Sequence, residues 1–188
     1  MILEGLVTTT NADGSPHVAP MGPRVEGPNF SRFLLRPFPS SQTYRNLRMH
    51  PEGVLHVTDD VLLLAKAAVG KVAPCPATRP AERVNGFVLT DACRYYEFRV
   101  ANFDDAEQRV RIDAEVVFCR TVRDFFGFNR AKNAVLEAAI YATRLHLIPR
   151  DEIAAEYRKL RVIVDKTGGP AELEAMTFLE TYVAEAAR

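Results

Sequence analysis

The sequence predicts an α+β protein in which the strands come first and the helices last. Period-two alternation runs through the first two thirds. It is clearest where Val110, Ile112, Ala114, Val116 and Phe118 fall on one face and Arg111, Asp113 and Glu115 on the other. From about Asn129 onward, apolar residues recur at helical spacing instead. The two patterns follow one another rather than interleave, which argues against the alternating βαβ order of a parallel sheet. A strand-rich part over residues 1–128 and a helical part over 129–188 are expected.

The elements follow in order. Leu6-Val7-Thr8-Thr9-Thr10 is β-rich, Asn11-Ala12-Asp13-Gly14 is turn chemistry, and His17 to Met21 returns, so residues 2–22 read as a hairpin. Residues 33–36 make a third strand, stopped by Pro37 and Pro39, and residues 53–57 a fourth. Between them Ser40 or Ser41 can cap a short helix. Thr58-Asp59-Asp60 reads as a cap before a helix over 61–69. Pro74, Pro76 and Pro80 mark an irregular connection, and two long strands over 95–102 and 108–120 flank a turn at 103–107. A helix over 130–147 is stopped by Pro149. A second carries Ile153, Tyr157, Leu160 and Val164 and ends at Gly168-Gly169. A third opens at Pro170, with Leu173, Met176, Leu179 and Val183 on one stripe.

Composition excludes several classes of function. The 188 residues are 47% hydrophobic and 26% charged with zero formal net charge, so no basic footprint points to nucleic acid. Cys75, Cys93 and Cys119 are scattered, which argues against a disulfide framework and a zinc site and fits a reduced, cytoplasmic setting. Cys119 has no base partner and reads as a buried structural residue. His17, His50, His56 and His146 show no metal-ligand spacing, and no metal is expected. Residues 1–5 carry no basic region leading into a long apolar stretch, so no signal peptide is expected. The apolar run at 61–64 is too short to span a bilayer.

Two segments carry candidate chemistry. Arg36-Pro-Phe-Pro-Ser-Ser-Gln-Thr43-Tyr-Arg-Asn46-Leu offers a fixed cation, hydroxyl donors and the free N–H groups of a helix start, the parts of a phosphate site. The plain alternative is a capped surface helix beside a surface ion pair. Pro20-Met21-Gly22 breaks a strand and could expose backbone groups to a planar ring; a bulge without a ligand reads equally well. Asp59-Asp60 could be a metal or acid/base pair, although adjacent residues rarely point to one place and capping explains them better. No catalytic side chain is singled out, and no Gly-rich phosphate loop or nucleophile elbow is present.

The order of these segments resembles a known family. Thr8-Thr9-Thr10-Asn11 with Asp13-Gly14-Ser15 leads to Ala19-Pro20-Met21-Gly22. Arg36-Pro37, Ser41-Gln42-Thr43-Tyr44-Arg45-Asn46-Leu47 and Thr58-Asp59-Asp60-Val61 follow, and Lys132-Asn133-Ala134-Val135-Leu136-Glu137-Ala138 lies in the helical part. Together they resemble domain-of-unknown-function family 447 of the FMN-binding split-barrel superfamily, alongside flavin reductases and pyridoxamine phosphate oxidases. The resemblance implies a split β-barrel over 1–128, a C-terminal helical subdomain over 129–188, and a homodimer with FMN in a groove between subunits. It implies that Arg36, Ser41, Thr43 and Asn46 hold the FMN phosphate and that the ring lies along Pro20, Met21 and Gly22. Thr58 and Asp59 would approach the same groove. The activity implied is that of a flavin-dependent oxidoreductase acting on a small molecule, with NAD(P)H as a plausible donor. A non-catalytic flavin carrier or sensor, or a reductase in pterin-type cofactor metabolism, are the alternatives. Substrate choice would rest with the loops at 23–32 and 70–84 and with the C-terminal helices.

Overall fold

The computed structural model describes residues 1–25 and 30–186; residues 26–29 of the 23–32 loop therefore lie outside the described residues. By its internal contacts the chain divides into two compact units. One comprises Met1–Thr58 and Ala73–Phe125, the other Asp59–Val72 and Phe126–Arg188. Residues 59–72, which the sequence pattern groups with the strands, thus pack with the helices.

In chain order the elements are β1 (Gly5–Thr10), β2 (Pro16–Met21), β3 (Arg24–Val25), β4 (Arg32–Leu35), α1 (Gln42–Met49) and β5 (Glu52–Val57). Then come α2 (Val61–Ala68), β6 (Thr78–Pro80), β7 (Phe87–Leu89), β8 (Arg94–Asp104), β9 (Arg111–Thr121), α3 (Arg130–Ala142), α4 (Arg150–Thr167) and α5 (Pro170–Glu185).

The first unit is a curled seven-stranded sheet in the order β2-β1-β5-β8-β9-β4-β3. β1 and β2 pair antiparallel around a turn whose Gly14 has φ 83°, a conformation that costs glycine nothing. The residues ahead of β1 reach the far edge. The Leu3 N–H donates to the Pro23 carbonyl at 3.1 Å, and the Val25 N–H to that of Met1 at 2.9 Å. The curl is thereby closed by residues 1–3. Its interior holds Val7, Phe33, Leu35, Leu55, Phe98 and Ile112, with Leu47 of α1 packed into the same cluster. Phe33 and Phe98 meet edge-to-face at 5.3 Å between centroids, the arrangement that aromatic quadrupoles favour.

The single-face alternation expected for β9 holds only to Val116. Phe98 pairs with Val116, but Glu97 pairs with Phe118, so Val117 is a bulge residue. One extra residue reverses the facing of everything beyond it. Val116 accordingly packs against the barrel interior, whereas Phe118 packs outside it with Val54, Val88 and Tyr95. The same stretch leaves Cys119 exposed; the buried cysteine is Cys93.

The proline-rich connection contains a small hairpin, β6–β7, that no alternation announces. It is anchored by buried polar groups. Glu97 accepts backbone N–H bonds from Glu82 at 2.8 Å, Arg83 at 2.6 Å and Val84 at 3.2 Å. His56 accepts the Leu89 N–H at Nε2 at 3.0 Å, which leaves the Nδ1 proton for the Leu6 carbonyl at 3.3 Å. Burial pushes the His56 imidazole down to about 3, so it stays neutral and structural.

The second unit packs α2, α3, α4 and α5 around Val61, Ala65, Ala138, Ile153, Tyr157 and Leu179. Asp60 caps α2 through the Leu63 N–H at 2.9 Å, and Asn129 caps α3 through that of Lys132 at 3.1 Å. α3 ends at Ala142, five residues before the expected stop. There the Thr143 hydroxyl donates to the Ile140 carbonyl at 2.8 Å, a local bond that competes with continued helix.

Candidate functional site

The site grows from the N-terminus of α1. Pro37 and Pro39 end the strand, and the Ser41 N–H donates to the Phe38 carbonyl at 2.9 Å, turning the chain into the helix. Ser41 is the N-cap; its Oγ accepts the Tyr44 N–H at 3.2 Å. That leaves the first N–H groups of the helix, at Gln42 and Thr43, without an intrahelical acceptor by position. Thr43 and Asn46 are both buried on the face that meets the hairpin.

Asn46 is saturated. Its Nδ2 donates to Thr9 Oγ1 at 3.0 Å and to Asn11 Oδ1 at 2.9 Å, and its Oδ1 accepts from Gln42 Nε2 at 2.7 Å. An amide has only two protons to give, so Asn46 fixes α1 against the β1–β2 turn and has no donor left over. Arg36 differs. Its Nη2 donates to Glu107 Oε2 at 2.9 Å, yet its Nε is buried with no hydrogen-bond partner among the described residues. A buried guanidinium N–H left unmade is costly and is the kind of vacancy that an anionic ligand oxygen fills.

Pattern reading missed other neighbours. Arg45 lies over the helix start, donating to the Ser40 carbonyl at 2.6 Å and to Gln42 Oε1 at 2.7 Å. His17, at the start of β2, is held below the ordinary imidazole value by burial and then by the Arg45 charge. β2 and α1 therefore share a cationic, donor-rich corner. The i,i+3 spacing of Gln42 and Arg45 is the sequence signal for the second of these contacts; nothing local signals His17.

Along β2 the ladder runs unbroken, with Leu6 opposite Pro20 and Gly5 opposite Met21. β2 is an edge strand, where a proline lacking its N–H is tolerated. Pro20 is exposed and Met21 half-buried. A Cβ on Gly22 would sit 2.8 Å from Ile2 Cγ2, so a larger residue there would have to displace the exposed Ile2 side chain. Thr58 is buried at the exit of β5. Asp59 belongs to the helical unit, where its Oδ2 accepts the Phe126 N–H at 2.8 Å and its carbonyl accepts Lys132 Nζ at 2.7 Å. Among the described residues no cluster of three or more His, Cys, Asp or Glu could hold a metal ion.

A curled antiparallel sheet closed by its N-terminal residues, with a short helix presenting its N-terminus after the fourth strand, has the architecture of a split β-barrel. A crystal structure of an FMN-bound family protein from Methanosarcina mazei matches with a TM-score of 0.83 at 24% identity, over 96% of this chain and 94% of that one. The 2-nitrobenzoate 2-nitroreductase of Pseudomonas fluorescens matches with a TM-score of 0.55 at 18% identity, over 63% and 64%. An NADH:FAD oxidoreductase of Streptomyces globisporus matches with a TM-score of 0.54 at 11% identity, over 64% and 70%. No curated protein matches the chain. The chain belongs to the family described as Protein of unknown function (DUF447): residues 3–123 match its N-terminal domain and residues 129–181 its second part.

Proposed function

We propose that this chain is an FMN-binding flavoprotein working as a flavin-dependent oxidoreductase on a small molecule. The observation that carries the reading is the buried, unpartnered Nε of Arg36 in the segment that leads into the N-terminus of α1. The FMN-bound family protein supports it. Arg36, the Ser41 hydroxyl, Thr43 and the first N–H groups of α1 would hold the phosphate. Asn46 positions the helix rather than touching the ligand, because its amide is spent. The ring would lie beside Pro20, Met21 and Gly22, with Thr58 and its chain neighbour Asp59 as further candidates for the cofactor set.

A bound flavin supplies hydride and electron transfer; the protein supplies binding, orientation and charge. Arg36 offsets the phosphate charge, and the edge strand β2 offers backbone groups to the ring. NAD(P)H as donor is supported by the NADH:FAD oxidoreductase among the similar structures. A homodimer is supported by apolar side chains that the barrel unit leaves exposed, Val117, Val122 and Phe125. Three free cysteines support a reducing, cytoplasmic setting, and no helix among the described residues is long and apolar enough to cross a membrane.

Purified protein should take up added FMN, quench its fluorescence and turn yellow. Arg36→Ala should weaken FMN binding by roughly 1.5–3 kcal/mol, the range for hydrogen bonds to charged groups. Failure of the wild-type protein to bind FMN would remove the reading, and an unchanged affinity in Arg36→Ala would move the phosphate elsewhere. Bleaching by NADH or NADPH with turnover of an acceptor separates an enzyme from a flavin carrier.

A further inference from the structure

A cavity of about 330 Å³ opens in the barrel unit at the end of β1 opposite α1. The register fixes which end this is. Gly5 stands opposite Met21 and Leu6 opposite His56, while the Cys93 N–H donates to the Val57 carbonyl at 2.9 Å. The cavity wall includes Leu3 and Val57, neighbours of the Pro23 and Thr58 backbone. It thus adjoins Met21, Gly22 and Thr58, the residues assigned above to the ring. α1, by contrast, is tied to Thr9 and Asn11 at the other end of β1.

One wall is aromatic: Phe30 and Tyr96 stack with centroids 5.0 Å apart and planes 19° from parallel. The rim carries charge. Arg123 also lines the cavity, but its guanidinium is drawn to Asp91, with Nε 3.3 Å from Oδ1. Asp124 lines the cavity as well, and its carbonyl accepts Arg123 Nη1 at 3.2 Å. Among the described residues Arg94 is held by neutral groups, Nε donating to Thr121 Oγ1 at 3.1 Å and Nη1 to Tyr96 Oη at 3.4 Å. Those bonds orient the guanidinium beside the aromatic wall without neutralising it. The volume lies at the lower end of the roughly 300–1,000 Å³ range of small-molecule sites, enough for one or two fused rings rather than a dinucleotide.

We propose that this cavity binds a planar aromatic monoanion, with its rings against the Phe30–Tyr96 stack and its acid group on Arg94, and that this is the substrate class of the flavin site. The last clause rests on the flavin reading above. The apolar wall rewards flat rings, and a guanidinium with no carboxylate partner favours an anionic acid group in a forked pair.

The test uses the full chain, with and without FMN, titrated by equilibrium dialysis with 2-naphthoate and with its neutral analogue 2-naphthalenemethanol. 2-Naphthoate should bind saturably and roughly tenfold or more tighter than the alcohol. Arg94→Gln should lose about that factor, Arg94→Lys should fall between Arg94→Gln and the wild type because an ammonium keeps the charge but not the fork, and both should take up FMN as the wild type does. Absence of 2-naphthoate binding, equal binding of the alcohol, or an unchanged constant in Arg94→Gln would each overturn the proposal. FMN uptake without 2-naphthoate binding rejects the substrate class and keeps the flavin reading. Arg94-dependent 2-naphthoate binding without FMN uptake keeps the aromatic-anion site and rejects the flavin reading. The alcohol comparison needs no variant and decides the matter even if a substituted chain fails to fold.

Discussion

Arg36 and Lys132 are both largely shielded cations, and they are satisfied in opposite ways. Lys132, in the helical unit, donates to Glu172 Oε1 and to the Asp59 carbonyl, both at 2.7 Å. Glu172 in turn accepts the Gly169 N–H at 2.8 Å. Burial pushes the Glu172 carboxyl up, but Lys132 and that N–H together hold it below the usual carboxylate value. Arg36, in the barrel, has one partner in Glu107 and one buried N–H with none. A closed polar network is what stability alone produces, because every unmet buried group costs free energy. An open one, beside a helix N-terminus, is tolerated where something else completes it. The contrast separates a structural charge from a binding charge without reference to residue type.

Breaking the closed network should have the largest effect. Lys132→Met leaves the Glu172 carboxylate shielded and without its cation, and should cost about 3–5 kcal/mol in urea unfolding while FMN affinity stays put. The penalty should also depend on pH. Because the Glu172 folded value lies below its unfolded one, its contribution is present above about pH 4.5 and is lost as pH falls through the folded value. The difference between wild type and Lys132→Met should therefore shrink below that point. A loss of FMN affinity matching the loss of stability would sink the division into structural and binding charges.

His56 extends the closed class into the barrel. Both ring nitrogens are engaged, and its folded value is about 3 against 6.5 when unfolded. The unfolded chain binds the extra proton, so stability is complete above pH 6.5 and falls as the pH drops toward 3. Between pH 7 and pH 5 the loss should be about 2 kcal/mol, since each tenfold rise in proton concentration below the unfolded value costs about 1.36 kcal/mol. In His56→Gln the overall stability will be lower, but this part of the pH slope should disappear. An unaltered slope would mean that another group titrates there.

Asn46 shows where the sequence stopped being informative. Short-range chemistry was legible: the Gly14 turn, the serine cap, the Asp60 cap and the Pro170 helix start each depend on a few adjacent residues. Register was not. Val117 becomes a bulge only because β8 and β9 must pair over eleven residues each, and that offset turns Phe118 outward against a regular alternating pattern. The β6–β7 hairpin was hidden because its anchors, Glu97 and His56, lie on other strands. Likewise Asn46 lies 35 to 37 positions from Asn11 and Thr9 in the chain, so nothing local signalled that its amide protons go to them. Asn46→Ala should cost about 1.5 kcal/mol of stability and weaken FMN binding less than Arg36→Ala does. An equal or greater loss of affinity would restore Asn46 to the ligand set.

Ser41 stands between the two classes and gives the smallest change in stability. Its oxygen accepts the Tyr44 N–H, which uses one lone pair and leaves the hydroxyl proton free to donate. Capping and phosphate binding are thus compatible in one side chain. Ser41→Ala removes both and should cost about 1 kcal/mol of stability. Ser41→Asp separates them: aspartate caps a helix as well as serine does, so stability should hold within roughly 0.5 kcal/mol, while its charge would oppose a phosphate at the same helix end. Wild-type stability with lost FMN affinity in Ser41→Asp would place the phosphate at α1. Wild-type affinity in that variant would make Ser41 a cap and nothing more, and would leave the open Arg36 N–H waiting for a different anion.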